Sequence, residues 1–351
     1  MRFEHVGLSQ RVIFGAGEAA DALAEEVRLL GATRVMVIAA GPELELAERI
    51  TASLPVVLFH DEVAMHVPIA VARRARAAAA DHEADVLVCV GGGSTTGLAK
   101  AIALISGLPI VAVPTTYAGS EATRVWGLTD GERKTTGVDS RVLPHAIVYD
   151  ASLMLTLPVE MSVASGLNAL AHCVDSMWAP KSDPIDKALA AEGIRALNQG
   201  LPMVVADPSG LAGREQTLYG AYLSAVAFSS AGSGLHHKIC HVLGGAYGLP
   251  HAQTHAVVLP HVLAFNAPSA PDAERKIADA FGSNSAVDGL RVLRERLAAP
   301  RALRDYGFEE AQISEAAERI LPVVPADNPT PATIDNLKRL LHAAWQGKED
   351  Q

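Results

Sequence analysis

Six of the chain's thirteen histidines fall between residues 236 and 261. They stand in the run His236-His237-Lys238-Ile239-Cys240-His241 and then, after Pro250, at His251, His255 and His261. His237 and His241 are four residues apart, and so are Asn168 and His172 upstream. On a helix that spacing puts two side chains on one face, one turn apart. Imidazole can ligate a metal, donate a hydrogen bond or shuttle a proton, and it is costly to bury without a partner. A lone buried histidine is usually a satisfied core residue. Four polar side chains at matched spacing, with a further histidine after a proline break, point instead to a polar pocket built from converging helix faces.

The elements that must position these residues change character along the chain. In the first half, short apolar runs alternate with alanine-rich helical stretches. Residues 34–39, 55–59, 84–90, 109–114 and 145–150 read as strands, and Ala20 to Leu30, Val71 to His82 and Thr96 to Ile105 as helices. Such alternation implies right-handed crossovers and a parallel sheet covered on both faces. After about Leu157 helical periodicity dominates, with Pro158 and Pro184 as first-turn prolines and a last amphipathic helix from Thr333 to Trp345. The expected division is an α/β domain over residues 1–156 and a helical substrate and catalytic domain over 157–351.

Composition narrows the function classes. The chain has 351 residues, 49% of them hydrophobic and 19% charged, which suits two globular domains. A net charge of -10 argues against nonspecific affinity for nucleic acid or anionic membranes. Cys89, Cys173 and Cys240 show no CxxC spacing, which suggests a reducing compartment and no disulfide framework. The start lacks the apolar stretch of a signal peptide, and no apolar run reaches spanning length, so the expected location is cytoplasmic.

Val88-Cys89-Val90-Gly91-Gly92-Gly93-Ser94-Thr95-Thr96-Gly97-Leu98-Ala99-Lys100 reads as strand, glycine turn and helix. The glycines let bare amides approach a ligand, and the helix N-terminus adds unpaired N–H groups and partial positive charge, which suits a phosphate. The pattern is neither GxGxxG nor a P-loop. A second loop, Pro114-Thr115-Thr116-Tyr117-Ala118-Gly119-Ser120-Glu121, also leaves a strand's carboxyl end, where ligands of open α/β sheets gather. Two such loops at one edge point to a dinucleotide site.

Together these pieces resemble the iron-containing (group III) alcohol dehydrogenase superfamily, over nearly the whole chain. The markers are the two loops, Leu143-Pro144 leading to Asp150, the paired histidines with Pro250-His251, then Leu259-Pro260-His261 and Phe265-Asn266. The resemblance implies a Rossmann-like dinucleotide-binding α/β domain followed by an all-α domain, in the dehydroquinate synthase-like fold, with the active site in the cleft between them. It also places a lysine that reaches the cofactor ribose at Lys134, and by analogy implies a homodimer.

The departures from the family pattern matter more. Metal-holding members carry an aspartate and three histidines at positions that here are Asn168, His172, His237 and His251. Asn168 removes the single anionic ligand, and a neutral amide oxygen binds a divalent cation more weakly than a carboxylate. No metal is therefore expected. Ala39-Ala40-Gly41 stands where many relatives carry an acid for the adenosine ribose, so a 2′-phosphate meets no like charge and both NADH and NADPH are expected. These features look like the branch whose members reduce maleylacetate, a dicarboxylate, to 3-oxoadipate in bacterial degradation of aromatic compounds.

For that substrate the expected chemistry is conjugate reduction, with hydride added to the alkene carbon distal to the ketone. Charge then develops on the ketone oxygen. Donors aimed at it would each contribute roughly 3 kcal/mol in a dry site. His172, His237 and His251 are the candidate donors, beside Asn168, and His241 the candidate proton donor or carboxylate contact. Gly91, Gly92, Gly93, Ser94, Thr115, Thr116, Tyr117, Lys134 and Ala39 are the candidate cofactor contacts. Arg124, Lys238, Tyr117 and His66 are eligible by type for the substrate carboxylates. His236 and His255 match no ligand position and read as structural; Cys173 and Cys240 read as buried small hydrophobes. The competing functions are a metal-dependent alcohol or polyol dehydrogenase on the same fold and a dinucleotide-binding sensor without turnover.

Overall fold

A computed structural model describes residues 3–131 and 133–348, without the side chains of residues 133 and 134. The chain divides into two compact units. One is Leu8–Leu157; the other contains residues 3–7 and 158–348 of the described chain.

The first unit is a six-stranded parallel sheet of order β1-β8-β5-β4-β2-β3 with helices on both faces, plus a two-stranded antiparallel hairpin. In chain order the elements are β1 (Arg11–Phe14), α1 (Ala19–Leu29), β2 (Val35–Ile38), α2 (Leu44–Ile50), β3 (Val56–His60) and α3 (Ile69–Asp81). They continue with β4 (Val86–Gly91), α4 (Gly93–Ser106), β5 (Ile110–Pro114), the hairpin β6 (Val125–Asp130) and β7 (Arg133–Val138), and β8 (Ala146–Tyr149). Alternation of side chains divides each central strand between two cores. Val35 and Val37 of β2 pack with Leu23, Val27 and Ile50 on one face. Met36 and Ile38 pack with Ala75, Leu98 and Ile102 on the other. Burial on both faces is why these strands are continuous apolar runs. The sheet has one strand beyond the five expected, β1, which pairs with β8 at the edge. The hairpin and α2 are also additional to the expected elements.

The second unit contains α5 (Val159–Ser176), α6 (Pro184–Ala206), α7 (Leu211–Ala231), α8 (Leu235–Tyr247) and α9 (His251–Asn266). After these come α10 (Pro271–Phe281), α11 (Ala286–Arg296), α12 (Ile313–Ile320) and α13 (Ile334–Gln346). Pro184 opens α6 behind an Asp183 capping box, and Thr333 caps α13 in the same way. Leu235, Ile239 and Leu243 of α8 share a core with α9, α12 and α13. The N-terminal residues join this unit through His5, whose Nδ1 lies 2.8 Å from Asp183 Oδ2. All three cysteines are free and buried. Among the described residues no helix is long and apolar enough to cross a membrane.

Candidate active site

In the helical unit the expected catalytic residues come from three elements. Asn168 and His172 lie on α5, His237 and His241 on α8, and His251 opens α9. Asn168, His172 and His237 are buried, His241 is half-buried and His251 is exposed. The rings of His172 and His237 stack, 4.8 Å between centres and 13° apart in plane. Phe228 of α7 packs against both, at 4.7 and 4.2 Å. His241 stands edge-on to His237 at 6.1 Å. Asn168 Oδ1, His172 Nδ1 and His237 Nε2 are buried without a hydrogen-bond partner. Buried polar atoms are normally satisfied, so orphans gathered on two neighbouring helices point to a ligand.

The cluster is larger than the sequence suggested. His236 Nε2 and His255 Nδ1 are 2.9 Å apart, and the His255 ring lies tilted against His251 at 4.3 Å. Burial lowers His172 and His236 to about 3, and His237 and His255 well below their ordinary value, with the neighbouring imidazoles adding to the effect. These rings are neutral at physiological pH.

Asp175, one turn after His172 on α5, is a site residue that sequence reasoning missed. It is fully buried, and its Oδ2 lies 2.7 Å from His237 Nδ1. Burial raises the Asp175 carboxyl to about 7, opposed by the backbone amides of His237, His236 and Gly234. With the Nδ1 hydrogen engaged by a carboxylate, a neutral His237 offers Nε2 as an acceptor rather than as the donor expected from the sequence.

The same geometry tests the fit of a divalent metal. Among the described residues, the groups of three His, Cys, Asp or Glu whose ligating atoms lie within 4.8 Å of one another are His236–Cys240–His255 and His5–Asp183–Asp186. His172, His237 and His251 do not form such a group, and Asn168 contributes no charge. The family's metal position thus holds three imidazoles and an amide, a weaker donor set for a divalent cation than one with a carboxylate.

In the α/β unit the glycine loop leaves β4 at Gly91, and Gly92 is the N-cap of α4. That helix start has no side-chain cap and no acidic residue in its first turn, so the backbone amides of Gly93 and Ser94 stand at an N-terminus suited to phosphate. A Cβ on Gly92 would come within 2.9 Å of Thr116 Cγ2, which explains the glycine. Thr115 donates its amide to Gly91 O at 3.1 Å, so the two loops leave adjacent strands in register. Ala39 is buried at the end of β2, its amide bonded to His60 O at 3.1 Å. The Gly91, Gly92, Gly93, Ser94, Thr115, Thr116 and Ala39 positions thus gather at the carboxyl ends of β2, β4 and β5. These residues fit a dinucleotide.

Lys100, fully buried on α4, holds the second loop in place. Its Nζ donates to Ser120 O at 2.6 Å, Thr123 O at 2.8 Å, Thr123 Oγ1 at 3.0 Å and Val125 O at 2.9 Å. Burial lowers its ammonium to about 7, opposed by the Glu121 carboxylate.

The remaining candidates are placed less tellingly. Tyr117 is fully buried on the second loop. Lys134 stands in β7, and its side chain lies outside the described residues. Arg124 is half-buried beside the hairpin, with Nε unpartnered, and Lys238 is half-buried on α8. His66 and Val67 both have positive φ, 62° and 48°, and their carbonyls are held by Thr129 of β6.

Residues 9–151 match the family described as Iron-containing alcohol dehydrogenase, and residues 162–345 match the C-terminal part of the Fe-containing alcohol dehydrogenase family. The chain is 45% identical over 339 residues to maleylacetate reductase of Burkholderia cepacia, covering 96% of each chain. It superposes with a TM-score of 0.98 and 61% identity on the crystal structure of an iron-containing alcohol dehydrogenase from Corynebacterium glutamicum, over 99% of this chain and 98% of that one. With maleylacetate reductase from Agrobacterium tumefaciens the TM-score is 0.94 at 39% identity, over all of both chains.

Proposed function

The chain belongs to the iron-containing alcohol dehydrogenase family, and from that premise we propose that it reduces the carbon–carbon double bond of maleylacetate to give 3-oxoadipate, with NADH or NADPH, in the breakdown of aromatic compounds. The observation that carries this reading is the group of orphaned polar atoms on Asn168, His172 and His237, at a position where Asn168 replaces the family's anionic ligand. Conjugate reduction of an enone needs hydrogen-bond donors and a proton, and it does not need a Lewis acid.

When bound, the reduced nicotinamide supplies the hydride. The amides at Gly92, Gly93 and Ser94 would hold the phosphates of the cofactor, and the acid-free Ala39 would admit a ribose with or without a 2′-phosphate. His172 and His251 face the ketone oxygen as negative charge develops on it, and their N–H groups stabilise it. His237 accepts at Nε2 and donates at Nδ1, so it belongs to the proton path rather than to the oxyanion contacts. His241, one turn further along α8 and half-buried, delivers the proton to the carbon beside the ketone. No step passes through a metal.

The competing reading is a metal-dependent alcohol dehydrogenase; the Corynebacterium relative carries the name iron-containing alcohol dehydrogenase. Purified protein incubated with NADH and maleylacetate should consume NADH stoichiometrically without added metal. Oxidation of simple alcohols on loading with iron or zinc, with no turnover of maleylacetate, would reverse the assignment.

A further inference from the structure

Asp175 is a carboxylate in a place where a carboxylate should be unstable. It is fully buried and faces neutral imidazoles. Four hydrogen bonds hold it there. Gly234 N donates to Oδ2 at 3.0 Å, His237 N to Oδ2 at 3.2 Å, His236 N to Oδ1 at 3.4 Å, and His237 Nδ1 reaches Oδ2 at 2.7 Å. Three of these donors are the amides at the start of α8, which a helix cannot satisfy internally. Gly234, the N-cap, has no side chain to serve them. A Cβ at 234 would come within 2.6 Å of Asp175 Oδ1, so the glycine makes room for a cap delivered from α5.

Capping alone would leave the ring of His237 free to turn, yet the ring contact is the shortest of the four. A carboxylate only accepts, so the hydrogen of the neutral ring sits on Nδ1, and Nε2 is left as a buried lone pair without a partner. The three amides fix the carboxylate, and the carboxylate fixes the ring. We propose that Asp175 is the positioning residue of this site, setting which nitrogen of His237 faces the substrate; its effect on turnover rests on the reductase reading above. Asp175 touches neither substrate nor cofactor and acts through His237.

The tautomer of His237 is readable without substrate. In protein labelled with 15N-histidine, with the His237 signals assigned by their loss in His237→Asn, the wild type should carry its ring hydrogen on Nδ1. Asp175→Asn offers one oxygen in place of two; with its NH2 at the Oδ2 position it faces the ring, at the expense of the Gly234 and His237 amides, and the hydrogen should move to Nε2. Its turnover should fall on the order of a hundredfold or more, as when a histidine-orienting carboxylate is lost elsewhere, while the NADH dissociation constant stays unchanged. Asp175→Glu should retain the Nδ1 tautomer and recover part of the rate. A wild-type ring protonated at Nε2, or folded Asp175→Asn turning over at the wild-type rate, overturns the proposal. The tautomer measurement on the wild type decides it even if the asparagine variant does not fold. Should the wild type fail to reduce maleylacetate while showing the Nδ1 tautomer, the reductase reading falls and the positioning geometry stands.

Discussion

Gly92 and Thr116 lie in contact across two loops that leave neighbouring strands, with room for a hydrogen at Gly92 and none for a methyl group. Because α4 begins at that point without a side-chain cap, a displaced Thr116 would move the loop that faces the helix N-terminus. Gly92→Ala should weaken NADH binding by roughly tenfold or more, a loss of about 1.4 kcal/mol. Binding titrations followed by nicotinamide fluorescence check this. Unchanged affinity in a folded variant would separate the glycine loop from the cofactor.

The end of β2 offers a test of cofactor choice. Ala39 is small, buried and uncharged where an acid would meet the adenosine ribose. Ala39→Asp should reduce kcat/KM with NADPH by about tenfold or more through repulsion of the 2′-phosphate, with a smaller change for NADH. A wild-type preference for NADH above about a thousandfold, worth roughly 4 kcal/mol, would contradict dual use from the outset.

Chelation addresses the family's metal position. With Asn168 uncharged at the family's metal position, dialysis against a strong chelator should leave maleylacetate reduction intact. Metal analysis of the active protein should find less than one equivalent of iron or zinc. Activity abolished by the chelator and restored by either ion would refute this.

The neutral imidazoles make the helical unit acid-sensitive. His172 and His236 titrate at about 3 in the folded chain against 6.5 ordinarily, so the unfolded chain binds their protons first as pH falls. Their contribution is complete above 6.5 and is lost progressively below it, at about 1.4 kcal/mol per histidine per pH unit. The melting temperature should therefore drop steeply between 6.5 and the onset of acid unfolding. Replacing His236 with leucine should flatten that slope, and an equally steep profile in the variant would place the acid sensitivity elsewhere.

The central strands were legible because burial on both faces demands uninterrupted apolar runs, as in Val86–Gly91 and Ile110–Pro114. The sequence Arg11-Val12-Ile13-Phe14 is too short, and as an edge strand too little buried, to stand out. In the hairpin, β6 places Val125, Trp126 and Leu128 around a glycine and β7 is largely polar, so neither shows a clean apolar alternation. In the site, i and i+4 spacing exposed the histidines and Asn168. Asp175 lies seven residues after Asn168 on the same face, and the same count would have found it had the search included acids. Its partners could not have been read, because the amides at the start of a different helix carry no mark in the sequence. His236 and His255, read as structural, do bond each other, but they also adjoin the reactive rings.

The pairing of β1 with β8 joins the first strand of the α/β unit to its last. During synthesis β1 therefore leaves the ribosome with no neighbour and must wait until Tyr149 has been made. The strands β2, β3, β4 and β5 can assemble earlier from shorter chain separations. At roughly 5–20 residues per second, the N-terminal strand remains unpaired for several seconds or more. Closure at that edge also carries the largest loop-closure entropy in the unit. The sheet edge beside β8 is thus the last part of this unit to form and the point at which a truncated or stalled chain would expose backbone.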